Sequence, residues 1–138
     1  MNVRWLKHAS FLVVAKGKVY YFDPWKITGS APKAFAIFIS HNHFDHIGGI
    51  SAFLNANDQV VVYLPRSLRG VRKAKKVIHI DQKARKLEDN LFTTGELQGI
   101  EQSLIIPTSK GLMLFVGCSH PDMKQILNVA ATFGPLYG

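Results

Sequence analysis

The sequence predicts an α/β domain in which sheet layers are covered by helices. Three observations carry that expectation. Short runs rich in β-branched and aromatic residues recur along the chain. Two segments with apolar residues at helical spacing interrupt them. One run, Ala34–Ser40, is nearly all apolar, as a strand covered on both faces should be. Strands with interspersed helices around an apolar interior give sheets flanked by helices.

The elements follow in order. Val3–Leu6, Ser10–Ala15 and Lys18–Phe22 read as opening strands, with a hairpin turn at Lys16-Gly17-Lys18 between the last two. Asp23-Pro24 ends the third, because proline cannot donate to a ladder. Thr28–Pro32 is a loop by composition. After Ala34–Ser40, Gly48-Gly49 opens a helix over Gly49–Ala56 with Ile50, Phe53 and Leu54 on one side. Gln59–Leu64 is a strand, and Pro65 suits the start of a short helix. Lys76–Ile80 is a strand in which His79 reads as structural. Leu91–Thr94, Ser103–Ile106 and Leu112–Val116 form a second strand set. Pro121 begins a last helix, Asp122–Thr132, with Ile126, Leu127 and Ala130 at helical spacing.

The 138 residues suffice for a single domain, 1–138, with a real core. A hydrophobic share of 47% excludes a disordered chain. No apolar run approaches the ~20 residues that span a bilayer. Met1-Asn2-Val3-Arg4-Trp5 lacks the apolar stretch of a signal peptide. The lone Cys118 excludes an intrachain disulfide and fits a reducing compartment. These features predict a cytoplasmic protein without a membrane partner. The net charge of +8 is concentrated: residues 66–86 hold nine basic side chains against one acid, Asp81. Such a run can hold phosphates or nucleic acid, or it can be a solvated face. No aromatic interleaves it as a base-stacking platform would need.

His41-Asn42-His43-Phe44-Asp45-His46 is the segment richest in chemistry. Neutral imidazole and carboxylate are ligands of Zn²⁺ and other first-row metals. Three protonated imidazoles this close would repel, and buried ones need partners. A cation answers both needs. His41 and His43, two residues apart in an extended segment, point to one side. Asp45 and His46 follow across a turn and can face a second position.

His-x-His-x-Asp-His after a buried strand, followed by Gly48-Gly49, resembles the signature of the metallo-β-lactamase fold hydrolases. The resemblance implies a four-layer αββα sandwich. It implies one metal on His41 and His43, a second on Asp45 and His46, and a water between them. Asp45 would be ligand and also proton acceptor for the attacking water. Residues 5–11 and Tyr21-Phe22-Asp23-Pro24-Trp25 look like the opening strands of the branch that includes ascorbate-phosphate lactonases. Asp23 sits where that family keeps an aspartate bracing the metal loop. Residues 91–97, Glu101-Gln102-Ser103-Leu104 and Gly117-Cys118-Ser119-His120-Pro121 resemble the dihydropterin-synthase-like members.

Three departures shape the expected site. Gly95-Glu96 stands where the family's third histidine usually follows a glycine, so Glu96 is a candidate ligand or partner of a ligand. Cys118 follows Gly117 where a bridging aspartate is usual. Thiolate is a competent zinc ligand, and His120 lies two residues on, so both join the candidate ligands. Cys118 could instead be a small buried hydrophobe, or with His120 a nucleophile and its base. The family's last histidine falls beyond residue 138, so the second half of the sandwich is expected to be incomplete. Either an open sheet edge is then covered by another copy or the domain is a reduced version, and a homo-oligomer is expected. His8 could face substrate or simply the surface.

The expected function is a metal-dependent hydrolase of an anionic small molecule, a phosphoester or phosphorylated lactone. Zinc is the default ion, with manganese, iron or nickel also suited to these ligands. The alternatives are a dihydropterin-synthase-like transferase and a nucleic-acid-binding module built on a decayed metal fold.

Overall fold

The structure is a computed structural model that describes residues 1–26, 31–69, 71 and 73–138. Strands β1 (Asn2–Lys7), β2 (Ser10–Ala15) and β3 (Lys18–Phe22) pair antiparallel. β4 (Ala36–Phe38), β5 (Val61–Pro65) and β6 (Lys76–Ile80) extend the same sheet in parallel, in the order β1-β2-β3-β4-β5-β6. The second sheet is antiparallel, in the order β10-β9-β8-β7. Its strands are β7 (Arg85–Lys86), β8 (Phe92–Thr93), β9 (Leu104–Thr108) and β10 (Gly111–Phe115). Helices α1 (Phe44–Ile47) and α2 (Ile50–Ala56) lie between β4 and β5, and α3 (Met123–Ala131) follows β10.

Period-two alternation builds the layers. Tyr20, Phe22, Ala36, Phe38 and Tyr63 face the second sheet and pack with Leu104, Ile106 and Phe115. Their neighbours Tyr21, Ile37, Ile39, Val62 and Leu64 face the other way, onto Phe53 and Leu54 of α2. Ile105 and Leu112 turn outward from the second sheet to Ala130 of α3. Reading across gives helix, sheet, sheet, helix, the expected αββα sandwich. β4 is buried on both faces, which is why Ala34–Ser40 shows no alternation in its sequence.

Local chemistry explains the turns. Lys16 and Gly17 both have positive φ, 50° and 74°, which makes the two-residue β2–β3 turn one whose twist matches its strands. Asp122 caps α3 by accepting from the Lys124 backbone N–H at 2.9 Å, just after Pro121.

Several expectations are corrected. Pro65 closes β5 instead of starting a helix: Arg66 N–H still donates across to Ile80 O at 2.9 Å, and Pro65 O accepts from Leu68 N–H at 3.0 Å in a single turn that goes no further. α1 and β7 lay unseen in the sequence, since a single turn and a two-residue strand carry no periodicity to read. The β10 edge is occupied by the chain's own last residues. Leu112 N–H donates to Pro135 O, Tyr137 N–H to Leu112 O, and Leu114 N–H to Gly138 O at 2.6 Å, so residues 135–138 run parallel to β10 through a bridge at Leu136. Within the predicted loop Thr28–Pro32, Thr28–Ser30 lie outside the described residues, as does Arg72 of the basic run. Among the described residues no helix is long and apolar enough to cross a membrane.

Candidate metal centre

β3 and β4 run parallel, so their carboxyl ends lie side by side. This is where open α/β sheets place ligands. Asp23 ends β3 with φ +46°, a left-handed conformation that aspartate tolerates. Its backbone N–H donates to Phe38 O at 2.9 Å, which turns the carboxylate toward the end of β4. There Oδ1 accepts from the Ser40 N–H at 2.7 Å and Oδ2 from the Ser40 hydroxyl at 2.6 Å. Oδ2 also meets His46 Nδ1 at 2.6 Å.

These contacts set the tautomers. An ionised carboxylate only accepts, so His46 carries its proton on Nδ1 and leaves Nε2 free. The Ser40 hydroxyl gives its one proton to Asp23, so His41 Nδ1, at 2.8 Å, must donate to Ser40 Oγ. His41 Nε2 is thereby free as well. Both rings are oriented from behind, as metal-ligating histidines are.

Four donors converge in front. The ligand atoms of His41, His43, Cys118 and His120 all lie within 4.8 Å of one another. His41 Nε2 and His120 Nε2 are 3.2 Å apart, and the His41 and His43 ring centres are 4.4 Å apart. His43 is the extended residue preceding α1, so the strand-like spacing brings both imidazoles to one side, as the sequence predicts. α1 then turns the chain and presents Asp45 and His46 beside the first set. His46 Nε2 lies 3.7 Å from Asp45 Oδ2 and 3.1 Å from Cys118 Sγ. Cys118 therefore touches both groups. Asp23, His41 and His46 also fall within one such radius, but Asp23 is fully buried and meets the protonated Nδ1 side of His46. Its carboxylate lies behind the first donor group, against His46 and Ser40.

The segment bearing Cys118 and His120 is held by Glu101, a buried residue absent from the predicted site. Its Oε1 accepts from the backbone N–H groups of Gly117 at 3.0 Å and Ser119 at 3.1 Å, and Oε2 accepts from His120 N–H at 3.1 Å. Oε2 also lies 3.9 Å from His41 Nδ1. Gly117 allows the approach, since a Cβ there would sit 2.3 Å from Ser40 Oγ. Gly49 does the same behind α1, where a Cβ would meet Pro24 O at 2.4 Å.

The electrostatics suit a cation. Burial first, then the positive charge of neighbouring His46, His43 and His120, lowers His41 from its ordinary 6.5 to about 3, against an opposing pull from Asp45. Its ring is therefore neutral and able to ligate. Burial opposes a charge on His46, but the hydrogen bond and charge of Asp23, with Asp45 and Glu101, outweigh it and raise its pKa. Burial likewise raises Asp23 against its hydrogen bonds from His46 and Ser40. Burial, then the charges of Glu101, Asp45 and Asp23, raises the Cys118 thiol. Only a nearby cation would make it a thiolate near neutral pH. Nitrogen, sulfur and carboxylate donors at these separations fit a zinc-type ion.

The remaining candidates lie elsewhere. Glu96 is buried, and its Oε1 accepts from Ser67 N–H at 2.9 Å, which ties down the loop after β5. It belongs to neither donor group among the described residues. His8 is exposed and stacks edge-on against Trp25, which in turn meets Phe44 of α1. His8 belongs to neither donor group among the described residues. In the basic run, Lys76 pairs with Glu88 at 3.1 Å and Arg85 with Asp81 at 2.8 Å. The functional residues that sequence reasoning missed are Ser40 and Glu101. Ser40 could have been found from its place between a buried strand and His41. Glu101 had no local signal, because its three partners lie 16 to 19 residues away.

Comparison with known proteins gives the same picture. Residues 36–108, just over half of the chain, match the Metallo-beta-lactamase superfamily. A UPF0173 metal-dependent hydrolase of Pyrobaculum arsenaticum is 37% identical over 57 residues, covering 35% of this chain and 25% of that protein. Another, from Koribacter versatilis, is 34% identical over 74 residues, covering 47% and 32%. The chain thus spans a quarter to a third of the length of these curated relatives. Among solved structures, Igni18, a metallo hydrolase of Ignicoccus hospitalis, superposes with a TM-score of 0.60 at 19% identity, covering 83% of this chain and 59% of its own. CmlA, a diiron β-hydroxylase of Streptomyces venezuelae, gives 0.69 at 18% identity, covering 97% and 33%. At such identities the likeness concerns the fold alone. With the matched segment running from β4 through the histidine motif to β9 of the second sheet, the chain belongs to the metallo-β-lactamase superfamily.

Proposed function

We propose that the chain is a metal-dependent hydrolase acting on an anionic small molecule, of the phosphoester or phosphorylated-lactone class. The observation that carries this reading is the meeting of His120 with His41 and His43, joined by Cys118 at the flank of Asp45 and His46. Zn²⁺ is the ion we expect, and Mn²⁺, Fe²⁺ or Ni²⁺ would suit the same donors. A metal held there would acidify a water and polarise the oxygen of the scissile bond.

The chain's own residues supply the rest. His41, His43 and His120 would hold one ion. Asp45 and His46 would hold a second, with Cys118 between the two. Asp45, half-exposed beside His46, would take the proton of the attacking water. Asp23 and Ser40 keep the two buried imidazoles in the tautomer that ligates. The cations of residues 66–86 would draw in the anionic substrate. A cytoplasmic setting suits the exposed Cys118 thiol. Self-association belongs to this reading as well, because β1 closes one end of the larger sheet with Val3 and Trp5 exposed. A sedimenting monomer would remove that part.

The test is metal analysis of protein purified without added zinc, beside a His41→Ala/His43→Ala variant. Bound metal in the parent and its loss in the variant are expected. Equal metal in both would overturn the proposal. Hydrolysis of generic phosphodiesters and phosphorylated lactones by the metal-loaded protein would favour a hydrolase over a transferase.

A further inference from the structure

α1 has two working faces. Asp45 and His46 belong to the donor cluster, whereas Phe44, Ile47 and Gly48, spaced three and four residues apart, share another side. That other side borders a cavity of about 540 Å³. Its floor is the edge of the helix-side core: Ile47 and Leu54 on the helices, Leu68 and Val71 on the segment after β5. Arg69 and Lys73 stand on its rim. Lys73 Nζ is held at 3.1 Å by Asn55 Oδ1, a neutral partner that also lines the cavity. Arg69 is exposed and has no ion-pair partner among the described residues. Asp58 shares an adjoining hollow with Lys73, and its carboxylate accepts from Gln59 Nε2 at 3.2 Å.

An apolar floor with two cations on one rim selects a definite chemistry. Its volume falls in the ~300–1,000 Å³ range of small-molecule sites. Water gains little against the floor, and among the described residues neither rim cation has an ion-pair partner. We propose that this groove binds a single-chain anionic amphiphile, its apolar body against Leu54 and Leu68 and its phosphate or carboxylate head between Arg69 and Lys73. The site is distinct from the metal centre. A ligand there would press on the Phe44–Gly48 face of the turn that carries Asp45 and His46.

Calorimetric titration with decyl phosphate, decanol and inorganic phosphate, each below its aggregation threshold, tests this. The full chain is used as purified and again after EDTA treatment. Decyl phosphate should bind at least about tenfold more tightly than decanol or inorganic phosphate, the scale of a charge-assisted contact added to apolar burial. EDTA should leave that affinity unchanged, which separates this site from the metal reading. Arg69→Ala/Lys73→Ala should abolish the preference over decanol, while Lys75→Ala/Lys86→Ala, which removes two exposed cations outside the groove, should not. Ser51→Trp, at an exposed lining position, should block both amphiphiles. Equal binding of decyl phosphate and decanol, loss of binding with EDTA, or equal effects of the two double variants would each overturn the proposal. If Ser51→Trp failed to fold, the parent and double-variant titrations would still decide it.

Discussion

The Asp23 carboxylate and the His46 imidazole meet at 2.6 Å across 23 residues of chain, and both side chains are buried. The same carboxylate binds Ser40, which in turn accepts from His41. One acid at the end of β3 therefore sets the orientation and tautomer of two imidazoles that belong to different donor groups.

Asp23→Asn should lower metal affinity without removing a ligand. Second partners of ligating histidines contribute about 10–100-fold in affinity, and a loss of that order is expected in chelator competition. An unchanged affinity would mean that Asp23 only fills space.

Glu101→Gln should weaken both the fold and the site. It exchanges a charged acceptor of three backbone N–H groups for a neutral amide with one oxygen. Hydrogen bonds to charged groups contribute about 1.5–3 kcal/mol each, so a loss of a few kcal/mol in urea unfolding is expected. In the cobalt-loaded protein the visible bands should shift as Cys118 and His120 lose their fixed positions. Native-like bands would restrict Glu101 to a stabilising role.

Gly117→Ala should cost about 1–3 kcal/mol through overpacking, because the new methyl would meet the Ser40 hydroxyl at 2.3 Å. Ser40 must move, and His41 with it, so metal affinity should fall in parallel. Stability falling alone would uncouple the glycine from the centre.

Acid should destabilise the metal-free chain through His41. Its pKa is about 3 in the folded state, against about 6.5 when unfolded. Between those values the unfolded chain takes a proton that the native ring refuses, so this contribution is lost as pH falls from 6.5 toward 3. His46, raised by Asp23 against its burial, acts in the opposite sense. Its contribution is complete below about 6.5 and fades as pH rises through the raised value. Melting temperatures of EDTA-treated protein should fall on acidification, and His41→Gln should flatten that fall. An equal slope in both chains would contradict the assignment.

The sequence by itself determined the local elements and half of the metal chemistry. Ser10–Ala15, Lys18–Phe22 and Lys76–Ile80 appear in the structure with the predicted bounds, because residue alternation and β-branched composition are local signals. The donors His41, His43, Asp45 and His46 were legible for the same reason, being packed into one turn of chain. Tertiary structure alone decided the rest. It brought His120 to His41 across 79 residues and Cys118 to His46 across 72, and it sent Glu96 to Ser67 instead. It also laid residues 135–138 on the β10 edge, where an open edge was expected. The physical reason is common to these cases. A ligand set is fixed by where sheet ends and loops meet in space, and those meetings depend on how two sheets share one core, not on the spacing of residues along the chain.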